Sequence, residues 1–224
     1  MIQIAGVIDI DEALMLCNQG VDYIGFPLRL KDGREDLSEE DARFIIKIIK
    51  NKTNPVLITY LDNAREIIEV CNYLDVKIIQ LHGKIEESEI EKIKNISPEI
   101  KIIKSIIVKY DNFADLSAEI NTYSKYADFF ITDTFDAETG RTGATGKTHN
   151  WETSRKIVEL SATPVILAGG LNPENVRGAI LKVKPAGVDS HTGVENSDKR
   201  KDAKLVNMFV SKARKGFNDI SNGY

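Results

Sequence analysis

Two hydrophobic periods alternate along the chain. Short runs rich in β-branched residues fall at 2–6, 23–26, 56–60, 77–81, 101–107, 128–132, 164–168 and 187–189, and each is followed by apolar residues at helical spacing. The helical stretches are approximately 11–19, 39–50, 63–73, 86–94, 113–123, 152–160, 173–184 and 201–213. Their starts carry capping chemistry: Ser38 stands three residues before Asp41, close to a capping box, and Asp62 precedes the third helix. Strict alternation of strand and helix demands parallel strands joined by right-handed crossovers, and eight such units close as a (β/α)8 barrel. An open doubly wound sheet is the rival arrangement, but it carries its glycine loop after the first strand, whereas the paired glycines here follow the seventh. One barrel domain is expected over 1–214, with 215–224 (KGFNDISNGY) as a polar, flexible tail.

Composition narrows the setting. With 224 residues, 42% hydrophobic, the chain is large enough for one barrel core, and a net charge of −4 without aromatic-flanked basic blocks argues against nucleic-acid binding. No apolar run reaches the roughly eighteen residues of a membrane span, and the amino terminus lacks a signal-type segment, so a cytoplasmic protein without membrane partners is expected. Cys17 and Cys71 both lie in helical patterns and read as packed thiols. Three dispersed histidines without HxH or CxxC spacing give no reason to expect a metal.

Chemistry concentrates at strand ends. Pro164–Leu171 (PVILAGGL) runs into Asn172-Pro173, which reads as an N-cap followed by the first helical position. Gly169 and Gly170 admit a ligand close to backbone N–H groups, and Ser190, His191, Thr192 and Gly193 form a second such loop after the eighth strand, so the two together suit a phosphate. Longer loops at 27–37 and 133–150 belong to the same face of the barrel. Asp133, ending the sixth strand, is the candidate acid or base; Arg34, in the first long loop, suits a substrate carboxylate. Gln80 and His82 end the fourth strand, where the histidine either faces the pocket or braces the rim. His191 either meets phosphate, acts as base or bonds backbone, and Lys104 either forms a Schiff base or, preferably, pairs with Asp133. Asp189 is assigned to holding the loop that follows it.

At these residues the chain resembles the phosphoribosylanthranilate isomerases over nearly its whole length. The segments that carry the resemblance are GVDYIGF (20–26), SEEDA (38–42), IQLHG (79–83), ITDT (131–134), GATGKTHNW (143–151), LAGGLNPENV (167–176) and GVDSHTGVE (187–195), followed by Lys201-Asp202. The resemblance implies a TIM barrel of the ribulose-phosphate-binding type and a cofactor-free Amadori rearrangement of a phosphoribosyl amine in tryptophan biosynthesis. In that family an aspartate protonates the ribose ring oxygen, ring opening gives a Schiff base, and a cysteine removes the proton at C2. The acid falls on Asp133, the anthranilate-binding arginine on Arg34, and the phosphate loops on Gly169, Gly170 and 190–193. The expected partner is a small phosphosugar, bound by a monomer or homodimer.

The base does not carry over. Where the family has a KICG-type motif ending the first strand, this chain reads Gln3-Ile4-Ala5-Gly6, and alanine accepts no proton. The arginine loop is one residue longer than the usual pattern, and His191 stands where the family usually has serine. Asp9 and His191 are the substitute bases the sequence offers. Two alternatives therefore stand beside the isomerase: a related phosphosugar enzyme with another substrate and base, and a non-catalytic phospho-ligand-binding barrel.

Overall fold

The computed structural model describes residues 1–30, 37–108, 113–134 and 150–223. Its strands are β1 (Ile2–Ala5), β2 (Tyr23–Pro27), β3 (Asn54–Thr59), β4 (Ile78–Leu81), β5 (Lys101–Val108), β6 (Phe129–Thr134), β7 (Val165–Leu167) and β8 (Gly187–Ser190). The helices α1 (Ile10–Asn18), α2 (Glu39–Ile49), α3 (Ala64–Leu74), α4 (Glu87–Ile96), α5 (Phe113–Tyr123), α6 (Trp151–Leu160), α7 (Val176–Val183) and α8 (Ala203–Ser221) alternate with them. Every strand pairs in parallel with its neighbour in chain order, and β8 returns to β1 through Gln3↔Asp189 and Ile4↔Ser190, closing the barrel. The fold is the (β/α)8 barrel that the alternation predicts.

Local chemistry explains the element starts. Ser38 Oγ accepts from the Asp41 N–H (3.0 Å) and donates to Asp41 Oδ2 (2.7 Å), and α2 then buries Ala42, Ile45, Ile46 and Ile49, one face of a 3.6-residue period. The cap of α3 is Asn63 rather than Asp62; its Oδ1 accepts from the N–H groups of Arg65 and Glu66. Alternate strand positions sort into two cores. Ala5, Val56, Ile58, Ile103, Ile131, Ile166 and Ala168 fill the barrel interior, while their neighbours Ile4, Leu57, Ile102 and Leu167 pack outward with the helices.

Two ends differ from the sequence reading. Asn172 does not cap α7: its Oδ1 accepts from Glu174 and Asn175 N–H in a separate turn, and the helix begins at Val176. Residues 215–221 are not a flexible tail but the last turns of α8. Gly216 is buried against Ile180, Phe217 packs on the outer core, and Asp219 Oδ2 meets Arg177 Nη2 at 2.6 Å. A polar, glycine-bearing sequence hides this because its stabilising contacts come from α7.

Candidate active site

A cavity of about 160 Å³ opens at the carboxyl ends of the strands, lined by Ala5 of β1, Pro27 of β2, Ile58 of β3, Gln80 of β4, Ile131 and Asp133 of β6 and Asp189 of β8, together with the loops that follow the strands. One wall is backbone. Gly169 (φ 96°) and Gly170 (φ 63°) occupy the left-handed region that glycine tolerates, and Asn175 Nδ2 holds the Gly170 carbonyl at 2.9 Å. The loop after β8 is pressed against this one: Ser190 Oγ donates to the Leu171 carbonyl (2.7 Å), and a Cβ on Gly193 would stand 1.9 Å from that oxygen, so only glycine fits. Among the described residues, no protein acceptor takes the N–H groups of Gly170, Leu171 or His191. Unpaired N–H groups in a concave wall suit an anion.

Beside this wall the neighbouring β6 presents Asp133, 7% exposed near the strand's end. His82 Nε2 lies 3.2 Å from Asp133 Oδ2, His82 Nδ1 lies 3.1 Å from Ser105 Oγ, and the Tyr60 ring meets the imidazole edge-on at 4.8 Å between centroids. Inward positions on three consecutive strands thus fix the orientation of one carboxylate. The chain of groups is suited to holding Asp133 while a proton moves on or off it.

At the floor, Gln3 Nε2 donates to Gln80 Oε1 (2.9 Å), leaving Gln3 Oε1 without a partner, and Asp189 Oδ1 is likewise sealed from solvent and unpartnered. Burial raises the Asp189 pKa to about 7; the Gln3 amide and Lys201 favour its anion, while the negative Asp133 opposes it. His191 goes the other way: burial, reinforced by Lys201, lowers its pKa to about 3, so the ring is neutral at physiological pH. That ring stacks over Gly6 (φ 79°), filling the space any side chain there would need.

Asp133, His82, Gln80, Gly169, Gly170, Ser190, His191, Thr192 and Gly193 therefore line one cavity. Two sequence candidates do not. Asp9 caps α1 through the Glu12 N–H (2.9 Å) and is ion-paired with Arg200; although burial opposes it, these contacts hold its pKa below the usual carboxylate value. It is a loop-bracing group, not a base. Lys104 lies on the outward face of β5, donating to the Ser105 carbonyl (2.7 Å) and facing Glu119 (3.4 Å), so it is paired away from Asp133 and does not line the cavity. Arg34 and the loop 135–149 lie outside the described residues. Asp189 corrects the sequence reading in the opposite sense, since its carboxylate forms part of the cavity wall. Its three-residue β-run is too short to reveal by periodicity which way it faces. Among the described residues no group of three or more potential ligands is placed to hold a metal, and no helix is long and apolar enough to cross a membrane.

Residues 2–212 match the family model described as N-(5'-phosphoribosyl)anthranilate (PRA) isomerase. The chain is 35% identical over 222 residues to N-(5'-phosphoribosyl)anthranilate isomerase 2 of Methanosarcina mazei, covering 99% of this chain and 97% of that protein. It is 35% identical to the corresponding isomerase of Aquifex aeolicus, over 95% of this chain and 98% of the relative. Among solved structures, phosphoribosyl anthranilate isomerase from Thermotoga maritima superposes with a TM-score of 0.81 at 29% identity, over 96% and 98% of the two chains. Another phosphoribosyl anthranilate isomerase, in complex with reduced 1-(o-carboxyphenylamino)-1-deoxyribulose 5-phosphate, gives 0.78 at 28% identity over the same shares.

Proposed function

The chain belongs to the N-(5'-phosphoribosyl)anthranilate isomerase family, and from that membership we propose that its cavity converts N-(5'-phosphoribosyl)anthranilate into 1-(o-carboxyphenylamino)-1-deoxyribulose 5-phosphate, the aldose-to-ketose step of tryptophan biosynthesis. The glycine-bearing loops after β7 and β8 take the phosphate, which pins one end of the sugar. Asp133 then protonates the ring oxygen as the C1–O bond breaks and the nitrogen lone pair forms the C1=N bond. Arg34 is assigned to the anthranilate carboxylate on the family resemblance alone.

One observation carries this reading: the anion-suited backbone wall after β7 and β8 and the orientated Asp133 of the neighbouring β6 line a single cavity. The test is a steady-state assay following loss of anthranilate fluorescence. The native chain is expected to turn over, and Asp133→Ala to lower kcat by roughly a hundred- to ten-thousandfold. A native chain that binds the reduced ketose phosphate without any turnover would instead be a phospho-ligand-binding barrel.

A further inference from the structure

We propose that Asp189 is the general base of this chain, taking the C2 proton of the ring-opened substrate in place of the side chain that Ala5 does not supply. The inference rests on the isomerase reading above and deepens it.

Position comes first. Ala5 lines the cavity at the end of β1 with only a methyl group. On its β2 side stands Gly25, where a Cβ would lie 2.5 Å from Ile58 Cδ1, so that flank offers no functional group. On the other flank, the register Gln3↔Asp189 sets the inward-facing Asp189 beside the inward residues of β1. Of the described residues lining the cavity, Asp133 and Asp189 alone carry carboxylates, and β7, with the small Ala168 at its end, lies between their strands. An acid on β6 and a base on β8 thus bracket the same space.

Availability comes next. Asp189 is only half-buried as a residue and lines the cavity, and its Oδ1 makes no hydrogen bond, so no donor at that oxygen competes with an incoming proton for the carboxylate. The charged groups bearing on it are Asp133 from β6 and Lys201 from the segment after β8, with the neutral amide of Gln3 from β1. Desolvation is the largest of these influences and outweighs the Gln3 amide and Lys201, so the group titrates near 7, where a base is both populated and effective. Its rivals among the described residues fail on position or basicity. Asp9 is tied to Arg200, Cys17 and Cys71 do not line the cavity, and His191 holds a proton too weakly.

The protons balance. Asp133 gives one to the ring oxygen; the Asp189 carboxylate then removes the C2 proton, the C2–H electrons form C1=C2, and the C=N electrons return to nitrogen. Asp189 delivers its proton to C1 while the C2 hydroxyl proton goes to Asp133, giving the ketone and both side chains in their starting states. No redox partner or cofactor enters.

The experiment compares native chain, Asp189→Asn, Asp189→Asn with Ala5→Cys, and Gln3→Lys in steady-state turnover of phosphoribosylanthranilate from about pH 5 to 9, with binding of the reduced ketose phosphate as the check on a folded pocket. Native kcat is expected to rise with pH through about 7, as the base ionises. Asp189→Asn should lose roughly a hundred- to ten-thousandfold in kcat with ligand affinity retained, and Ala5→Cys should restore turnover in that background. Gln3→Lys, which keeps the carboxylate but adds a cation beside it, should move the rising limb to lower pH. Native-like turnover by Asp189→Asn, or a loss that Ala5→Cys does not restore, overturns the assignment while native turnover keeps the isomerase reading intact. A native chain without turnover overturns both.

Discussion

His191 shows how burial sets the chemistry of a single residue. The sequence places an imidazole in a loop suited to an anion, where a cation would be welcome, yet burial and Lys201 outweigh the Glu195 carboxylate 3.5 Å from Nε2 and lower its pKa to about 3 against 6.5 in a free side chain. The consequence for stability has a definite sign. The folded state resists protonation that the unfolded chain accepts, so the contribution is present above about pH 6.5 and is lost as pH falls towards 3. His191→Gln is expected to flatten the fall in urea-denaturation stability between about pH 6.5 and 4, by on the order of 2 kcal/mol at the acid end. Asp189 titrates in the opposite sense within the same cavity, and the comparison of the two chains isolates the histidine because Asp189 is common to both. Residue types at this scale were legible in sequence, and Asp133, His82 and Gln80 were found by their strand-end positions. Direction was not: Lys104 and Ser105 are adjacent on β5, and only the pleat sends the serine towards His82 and the lysine towards Glu119.

Elements here depend on neighbours remote in sequence. The last turns of α8 hold because Phe217 packs on the outer core and Asp219 pairs with Arg177 of α7, 42 residues away in the chain. Truncation after Arg214 is therefore expected to destabilise the protein by roughly 1–3 kcal/mol in urea denaturation, whereas removal of a frayed tail would leave the midpoint unchanged. The loop after β8 is likewise anchored from afar. The Lys201 N–H donates to Glu12 Oε1 (2.9 Å) and its ammonium reaches Glu195 (2.5 Å), which ties this loop to α1 and fixes the side chains that precede it. Strand and helix identities were readable because each has its own hydrophobic period; the start of α7 and the end of α8 were not, because turn chemistry and tertiary packing decide them.

For the molecule as a whole, closing β8 onto β1 brings residues from the first and last strands into one cavity, and ligand binding there should stabilise the entire barrel. Inorganic phosphate at about a hundred times its Kd is expected to add roughly 2.7 kcal/mol, read as a rise in Tm. Gly193→Ala should diminish that rise, since its Cβ would drive the loops after β7 and β8 apart at Leu171, and Gly170→Val should abolish it through the strained φ. An unchanged Tm at saturating phosphate would count against the anion wall. The alternation of periods determined the eight strand–helix units, because amphipathic faces of parallel strands are buried by crossover helices, and the paired glycines after the seventh strand favoured the closed barrel over an open doubly wound sheet. The double glycines and Asp133 marked the reactive end, since function collects in loops after strands. Only the tertiary structure set Asp9 and Lys104 aside and placed Asp189 beside Gln3 in the cavity that Ala5 also lines: facing, desolvation and cross-barrel neighbours arise from closure and register, which no local pattern contains.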